Sequence, residues 1–80
     1  MDESELRLRE CFRAVFPDLS EEEIPFASVA SVGEWDSVAA LSLLTLVEEQ
    51  MQIQIPTDQM LELISYELIL DYIKSRKDAS

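Results

Sequence analysis

Histidine is absent from this chain, and glycine and cysteine each occur only once among its 80 residues. Without histidine, the chain lacks both the commonest general base and the commonest neutral metal ligand. A single glycine cannot build a glycine-rich phosphate-binding loop. The acidic run Glu21-Glu22-Glu23 lacks the spaced carboxylates and the glycine of a calcium loop, so we interpret it as a solvated turn. The sequence therefore predicts a protein with no catalytic residue of its own and no metal site.

Basic residues are also scarce, since 6 lysines and arginines stand against 17 acidic residues and give a net charge of −11. This balance argues against a nucleic-acid partner, which requires clustered positive charge, and it disfavours anionic membranes. It favours solubility and partners with basic surfaces. We therefore expect a monomer that recruits basic protein partners.

The cysteine content, the N-terminal charge and the lengths of the apolar runs all favour the same cellular compartment. The only cysteine, Cys11, excludes an intramolecular disulfide, and we interpret it as an inert thiol on the inner face of a helix. The N-terminus is charged from its second residue, which is not typical of a secretory signal. No apolar run approaches the roughly 18 residues of a membrane span. We expect a cytoplasmic protein without membrane insertion.

Hydrophobic periodicity predicts an all-α fold in a single domain over residues 1–80. Nearly half of the residues are hydrophobic, and the few glycines and prolines leave little room for the turns of a β-sandwich. We predict a small four-helix bundle with a short third helix and a long loop between helices one and two. The helices are predicted over about 3–16, 37–51, 58–63 and 66–76, with a frayed tail after them.

Several apolar residues outside the second helix are predicted to face the core. The long loop is expected to lie across the core through Leu19, Ile24, Phe26, Val29 and Val32, and Trp35 is interpreted as a lid over it. Inward positions are also predicted in the extended segment after helix two and on the last helix: Ile53, Ile55, Leu68, Ile69, Tyr72 and Ile73. The short third helix is noted for its apolar residues Met60, Leu61 and Leu63.

The second helix is the strongest prediction, because Asp36 is a good N-cap residue directly before a long apolar run. A helical wheel places Leu43, Leu44 and Val47 on its inner face. Ser37 falls on the outer face, beside apolar residues that the core does not need. The outer face is formed by Ser37, Val38, Leu41, Ser42, Thr45, Glu48, Glu49 and Gln52.

The segment GEWDSV, followed by AALSLLTLVEEQMQIQIP and later by ELISYELILDYI, resembles the acyl carrier protein family. In that family an Asp-Ser-Leu motif opens an apolar helix that ends in paired acids. An extended segment, a short helix and a last helix with a Tyr-Ile pair follow. The resemblance covers about residues 4–76, and the matching residues are Asp36-Ser37-Val38, Glu48-Glu49, Ile53-Gln54-Ile55-Pro56 and Tyr72-Ile73.

The resemblance implies that Ser37 receives 4′-phosphopantetheine from coenzyme A and that the thiol of this arm carries acyl groups as thioesters. Asp36 and Val38 complete the motif that a phosphopantetheinyl transferase recognises. Acyl-loading, condensing and transferring enzymes would use basic patches to dock on a face formed by Val38, Leu41, Thr45, Glu48 and Glu49. The expected function is a non-catalytic carrier in fatty-acid, polyketide or other specialised biosynthesis. An aminoacyl or peptidyl carrier of the same fold and a non-carrier interaction module remain as alternatives.

The chain departs from the family pattern at several positions. Val38 replaces the usual leucine, Ser42 stands where an acid is frequent, and Thr45 stands where a methionine is frequent. Met51-Gln52 replaces the common pair of an aromatic residue and glycine. These departures point away from housekeeping fatty-acid synthesis.

Overall fold

Four α-helices carry the fold in the computed structural model, which describes the backbone of residues 3–79 and the side chains of residues 3–76. The helices are α1 (Glu3–Val15), α2 (Ser37–Met51), α3 (Thr57–Met60) and α4 (Tyr66–Ala79), and a 3₁₀ turn spans Ile24–Phe26. No strand occurs within residues 3–79. The all-α prediction is therefore confirmed, and α2 has the predicted bounds.

The other three helices differ from their predicted bounds, α1 only by ending one residue earlier, at Val15. Helix α3 has four residues instead of six, because the chain tightens after Met60 into a turn in which the Glu62 N–H donates to the Gln59 carbonyl over 3.0 Å. Helix α4 runs to Ala79 rather than to residue 76, so the predicted fraying of its tail is wrong for residues 78–79. Ser80 lies outside the described residues.

The core is centred on an aromatic cluster that joins α1, the long loop and α4. The Phe12 ring meets Trp35 and Tyr66 nearly edge-on, with ring centroids 5.4 Å apart in each pair. Phe16 extends the cluster, with its ring centroid 5.6 Å from that of Trp35. Trp35 is only 2% exposed, so its predicted place in the core is confirmed.

The long loop covers the core with fewer of its apolar residues than predicted. Ile24 and Val32 are buried, whereas Phe26 is 78% exposed and Val29 is half-exposed. The 3₁₀ turn causes this outcome, because its tight winding turns Ile24 inward and leaves Phe26 on the outside. The turn follows a capping box, in which the Glu23 N–H donates to Ser20 Oγ over 3.3 Å and the Ser20 N–H donates to Glu23 Oε1 over 3.1 Å.

The predicted inward position of Leu68 is wrong, because this residue is half-exposed at the margin of α4. Leu61 is 78% exposed because it ends α3 on the side away from the core. Ile69 and Ile73 are buried as predicted, and Ser65 caps α4, since its Oγ accepts from the Leu68 N–H over 3.2 Å.

A short antiparallel bridge fastens the loop to the connection between α3 and α4. It pairs Ser28 with Ser65. The Val29 N–H donates to the Ile64 carbonyl over 2.9 Å, and the Tyr66 N–H donates to the Ala27 carbonyl over 3.0 Å. The bridge therefore sets the position of Val29 and Ile64 opposite α2. None of the described helices has the length and apolar character that crossing a bilayer would require.

Gln52 ends α2 in the left-handed conformation, with φ 54° and ψ 48°. It is the only non-glycine residue with positive φ among residues 3–79. It also occupies the position at which glycine is common in the family that the sequence resembles. Replacing Gln52 with glycine is expected to raise the free energy of unfolding by about 1 kcal/mol, because glycine adopts this conformation without steric cost. Urea denaturation measures the change. Gln54→Gly, at a position without positive φ, should instead lower stability, and equal effects of the two variants would contradict the prediction.

Candidate functional site

Asp36 fixes the start of α2. Its backbone is extended, at φ −103° and ψ −170°, and its Oδ1 accepts a hydrogen bond from the Ala39 N–H over 2.9 Å. The Ala40 N–H donates to the Asp36 carbonyl over 2.8 Å, which closes the first turn. The predicted cap is therefore confirmed, and Ser37 becomes the first residue of the helix.

Ser37 presents a free hydroxyl at this helix start. Its side chain is exposed, and it forms no hydrogen bond to any other residue that the structure describes. Val38 follows it with 73% exposure, and Leu41 is 59% exposed one turn further along. The hydroxyl is accessible but not activated, since the chain has no histidine to remove its proton.

An apolar groove of about 500 Å³ opens beside Ser37. Ala40, Leu41 and Leu44 of α2 form one wall, and α3 with the segment after it forms the other. The full lining is Val29, Trp35, Asp36, Ser37, Ala40, Leu41, Leu44, Thr57, Met60, Leu61, Leu63 and Ile64. Volumes of about 300–1,000 Å³ are typical of small-molecule pockets. A group attached to Ser37 would therefore begin at the edge of a cleft able to hold it.

The predicted docking residues lie along α2 but are not equivalent. Thr45 and Glu49 are exposed, as are Val38 and Leu41. Glu48 is half-buried, and its Oε2 accepts from the Ile55 N–H over 2.8 Å. Glu48 thus holds the extended segment after α2, a role that the helical wheel did not indicate.

This difference predicts opposite outcomes for the paired acids. Glu48→Ala should lower the free energy of unfolding by about 1–2 kcal/mol, because the Ile55 N–H loses a charged acceptor. Glu49→Ala is the matched control and should change stability by less than about 0.5 kcal/mol. Urea denaturation followed by circular dichroism measures both, and a stable Glu48→Ala protein would contradict the prediction.

The second wall of the groove was missed by sequence reasoning. Leu61 was noted only as apolar, and Ile64 had no predicted role, yet both line the groove and are at least half-exposed. The available signal was the density of apolar residues in MLELI, which exceeds what one short helix can bury.

Charge is distributed unevenly along the chain and around the site. Residues 14–73 contain no lysine or arginine and hold 12 of the 17 acidic residues. Two arginines lie at the other end of α2: Arg7 Nη1 donates to the Gln50 carbonyl over 2.9 Å, and Arg76 Nη2 donates to the Gln54 carbonyl over 3.4 Å. The end of α2 that carries Ser37 is therefore free of basic residues in sequence and set apart from these two cations.

Cys11 is not part of the site. Its side chain is buried, and burial, with a smaller effect of Glu10, raises the pKa of its thiol to about 11. The thiol therefore stays protonated at neutral pH and is a poor nucleophile. The predicted place of Cys11 on the inner face of α1 is confirmed.

Asp36, Ser37, the exposed side of α2 and the apolar groove are thus brought together at one end of the bundle. No protein-family model matches the chain, and a search of curated proteins finds no significant match. Function is therefore inferred from the residues of this site.

Proposed function

We propose that this chain is an acyl carrier protein that bears a 4′-phosphopantetheine arm on Ser37. The observation that carries the proposal is the exposed, unbonded hydroxyl of Ser37, held at the start of α2 and at the edge of an apolar groove. The Asp-Ser-Val motif and its spacing to the flanking segments support the same assignment.

Attachment requires a reaction in which Ser37 is the nucleophile. Ser37 Oγ attacks the phosphorus atom of coenzyme A that carries the pantetheine, a phosphodiester bond forms, and the bond to the departing adenosine 3′,5′-bisphosphate breaks. The transferase would accept the hydroxyl proton, because the chain has no histidine and no described side chain hydrogen-bonds the Ser37 hydroxyl. Asp36 contributes by capping α2 with Oδ1, which leaves its other carboxylate oxygen for a metal ion of the transferase.

The local backbone suits the anionic product. The first N–H groups of a helix lack intrahelical partners and favour negative charge. Ala39 already donates to Asp36, so the N–H groups of Ser37 and Val38 are the donors left for a phosphodiester. When bound, the arm would supply a thiol that holds the acyl group as an electrophilic thioester.

The groove would hold the cargo, and the outer face of α2 would contact partner enzymes. Leu41, Leu44 and Met60 would exclude water from an apolar cargo tethered at Ser37. Val38 and Glu49 would contact partner enzymes, since an acidic rim steers basic patches into fast and reversible encounters. A covalent tether keeps the cargo at high effective concentration near a docked enzyme.

Intact mass spectrometry tests the proposal directly. The protein is incubated with coenzyme A and a broad-specificity phosphopantetheinyl transferase, and we expect a mass gain of one phosphopantetheine group. Digestion at acidic residues should locate the gain on the peptide that contains Ser37. No gain with several transferases would overturn the carrier assignment.

The exposed apolar residues also favour a second candidate, a helical interaction module without an arm. Val38 and Leu61 are each more than 70% exposed, which is unusual for large apolar side chains near an open groove. The same mass experiment separates the two functions, because an interaction module would remain unmodified.

A further inference from the structure

The indole nitrogen of Trp35 is a buried hydrogen-bond donor without a partner. Trp35 is 2% exposed, and its Nε1 meets no acceptor among the residues that the structure describes. Buried tryptophan N–H groups usually find an acceptor, and one left unpaired is costly. Trp35 therefore requires an explanation beyond the packing of its ring.

The surroundings of the ring indicate from which side an acceptor could come. The rings of Phe12 and Phe16 on α1 pack against Trp35, and both are apolar. Trp35 also belongs to the lining of the groove that begins at Ser37. The groove is thus the side of Trp35 on which an added molecule could lie, and it is the route that we infer for an acceptor.

Water does not suit this position. The groove lining is mainly hydrocarbon, and its polar side chains, Asp36, Ser37 and Thr57, are exposed residues of the rim. A buried water needs two to four polar partners, and beside Trp35 it would have little more than the indole N–H. A ligand with one oxygen on an otherwise apolar chain matches the wall better.

We propose that the groove is selective for acyl groups that carry an oxygen acceptor along their chain, such as 3-oxoacyl or 3-hydroxyacyl groups, and that the Trp35 N–H is the donor that recognises this oxygen. The inference rests on the proposed attachment of the arm to Ser37. A saturated chain would fill the same groove but leave the donor unpaired.

Access to the donor requires a small movement of the groove wall, since the Nε1 atom is buried in the structure. Helix α3 can supply this movement. It has only four residues, none of them buried, and Leu61 at its end is mostly exposed. Elements with few buried contacts open at low free-energy cost.

The single tryptophan makes the test direct, because the protein has only one indole N–H resonance. Octanoyl and 3-oxooctanoyl arms are loaded onto Ser37 from the corresponding coenzyme A thioesters, and ¹H–¹⁵N and methyl NMR spectra are compared. We expect both cargoes to shift the methyl signals of Leu61 and Ile64. Only the 3-oxooctanoyl form should move the indole proton downfield and slow its exchange with solvent.

A second experiment uses the unmodified protein and so does not depend on the arm. The probes are 2-octanone and its isostere 2-methyl-1-octene, which has a methylene in place of the oxygen. The matched variant carries 3-benzothienylalanine at position 35, where sulfur replaces the N–H in a ring of the same shape. We expect the ketone to bind the variant roughly fivefold more weakly, corresponding to one lost hydrogen bond, and the alkene to bind both proteins equally.

The possible results separate this inference from the proposed function. If both cargoes enter the groove and the indole signal stays unchanged, or if neither enters, the selectivity is overturned while the attachment at Ser37 stands. If Ser37 is never modified, the carrier function fails, and the ketone experiment alone decides whether Trp35 binds an oxygen acceptor. Equal loss of ketone and alkene affinity in the variant would also overturn the inference.

Discussion

Phe12→Ala is expected to lower the free energy of unfolding by about 3–5 kcal/mol, the range typical of deleting a buried aromatic ring. Phe12 has no exposed surface, and its ring contacts Phe16, Trp35 and Tyr66. Its removal would leave a cavity where α1, the long loop and α4 meet. Because small domains have only about 5–15 kcal/mol of total stability, a large fraction of the variant should be unfolded near physiological temperature.

Thermal and urea denaturation followed by circular dichroism measure this loss. Phe26→Ala is the matched control, since it removes the same ring from a side chain that is mostly exposed. It should change stability by less than about 0.5 kcal/mol. A loss below about 1 kcal/mol in Phe12→Ala would mean that the aromatic cluster is not the centre of the core.

Ser37→Ala is expected to abolish modification by a phosphopantetheinyl transferase, because it removes the only atom that can form the phosphodiester at this site. The folded structure should be unaffected, since the Ser37 hydroxyl forms no hydrogen bond to any other described residue. Intact mass after prolonged incubation with coenzyme A and transferase measures the effect.

Ser42→Ala provides the control for this variant. Ser42 is also exposed on α2, but it lies about one and a half turns further along the helix. It should be modified as completely as the parent protein. Modification that persists in Ser37→Ala, or that disappears in Ser42→Ala, would place the attachment at another residue.

The helix α2 could be predicted from the sequence because its signals are local. Asp36 offers a side-chain acceptor to the first turn, and the apolar run that follows has helical periodicity up to Met51. The burial of Trp35 was predictable for a related reason: a large aromatic ring in a loop of a small domain has few other places to go. The helix signals come from residues that are close along the chain. The Trp35 ring has no alternative position in which it would be equally well buried.

The wrong or missing predictions of side-chain exposure concern residues whose environment depends on distant segments. Phe26 and Leu61 have the same apolar character as their buried neighbours Ile24 and Leu63. Their exposure depends on how a 3₁₀ turn and a one-turn helix are wound, and a difference of one residue reverses the side that faces the core. Periodicity cannot resolve elements of three or four residues.

In the candidate site, too, local features were predictable from the sequence and non-local features were not. Ser37 and its cap are a local pattern, and they were predicted. The groove is not local, because the bridge between Ser28 and Ser65 brings Val29 and Ile64 opposite α2. Glu48 was assigned to a docking surface because nothing in its own helix reveals that the N–H of Ile55, seven residues later, needs its carboxylate.

Negative charge dominates the long span that carries Ser37. Residues 14–73 hold 12 acidic residues and no lysine or arginine. At the far end of α2, Arg7 is paired with Glu3, and Glu48 and Glu49 lie in the last turns of the helix, so that end is not a positive pole. A cationic surface would therefore attract the molecule before the two touch. This attraction would raise the rate of encounter, and it would weaken at ionic strengths where the Debye length falls below about 10 Å.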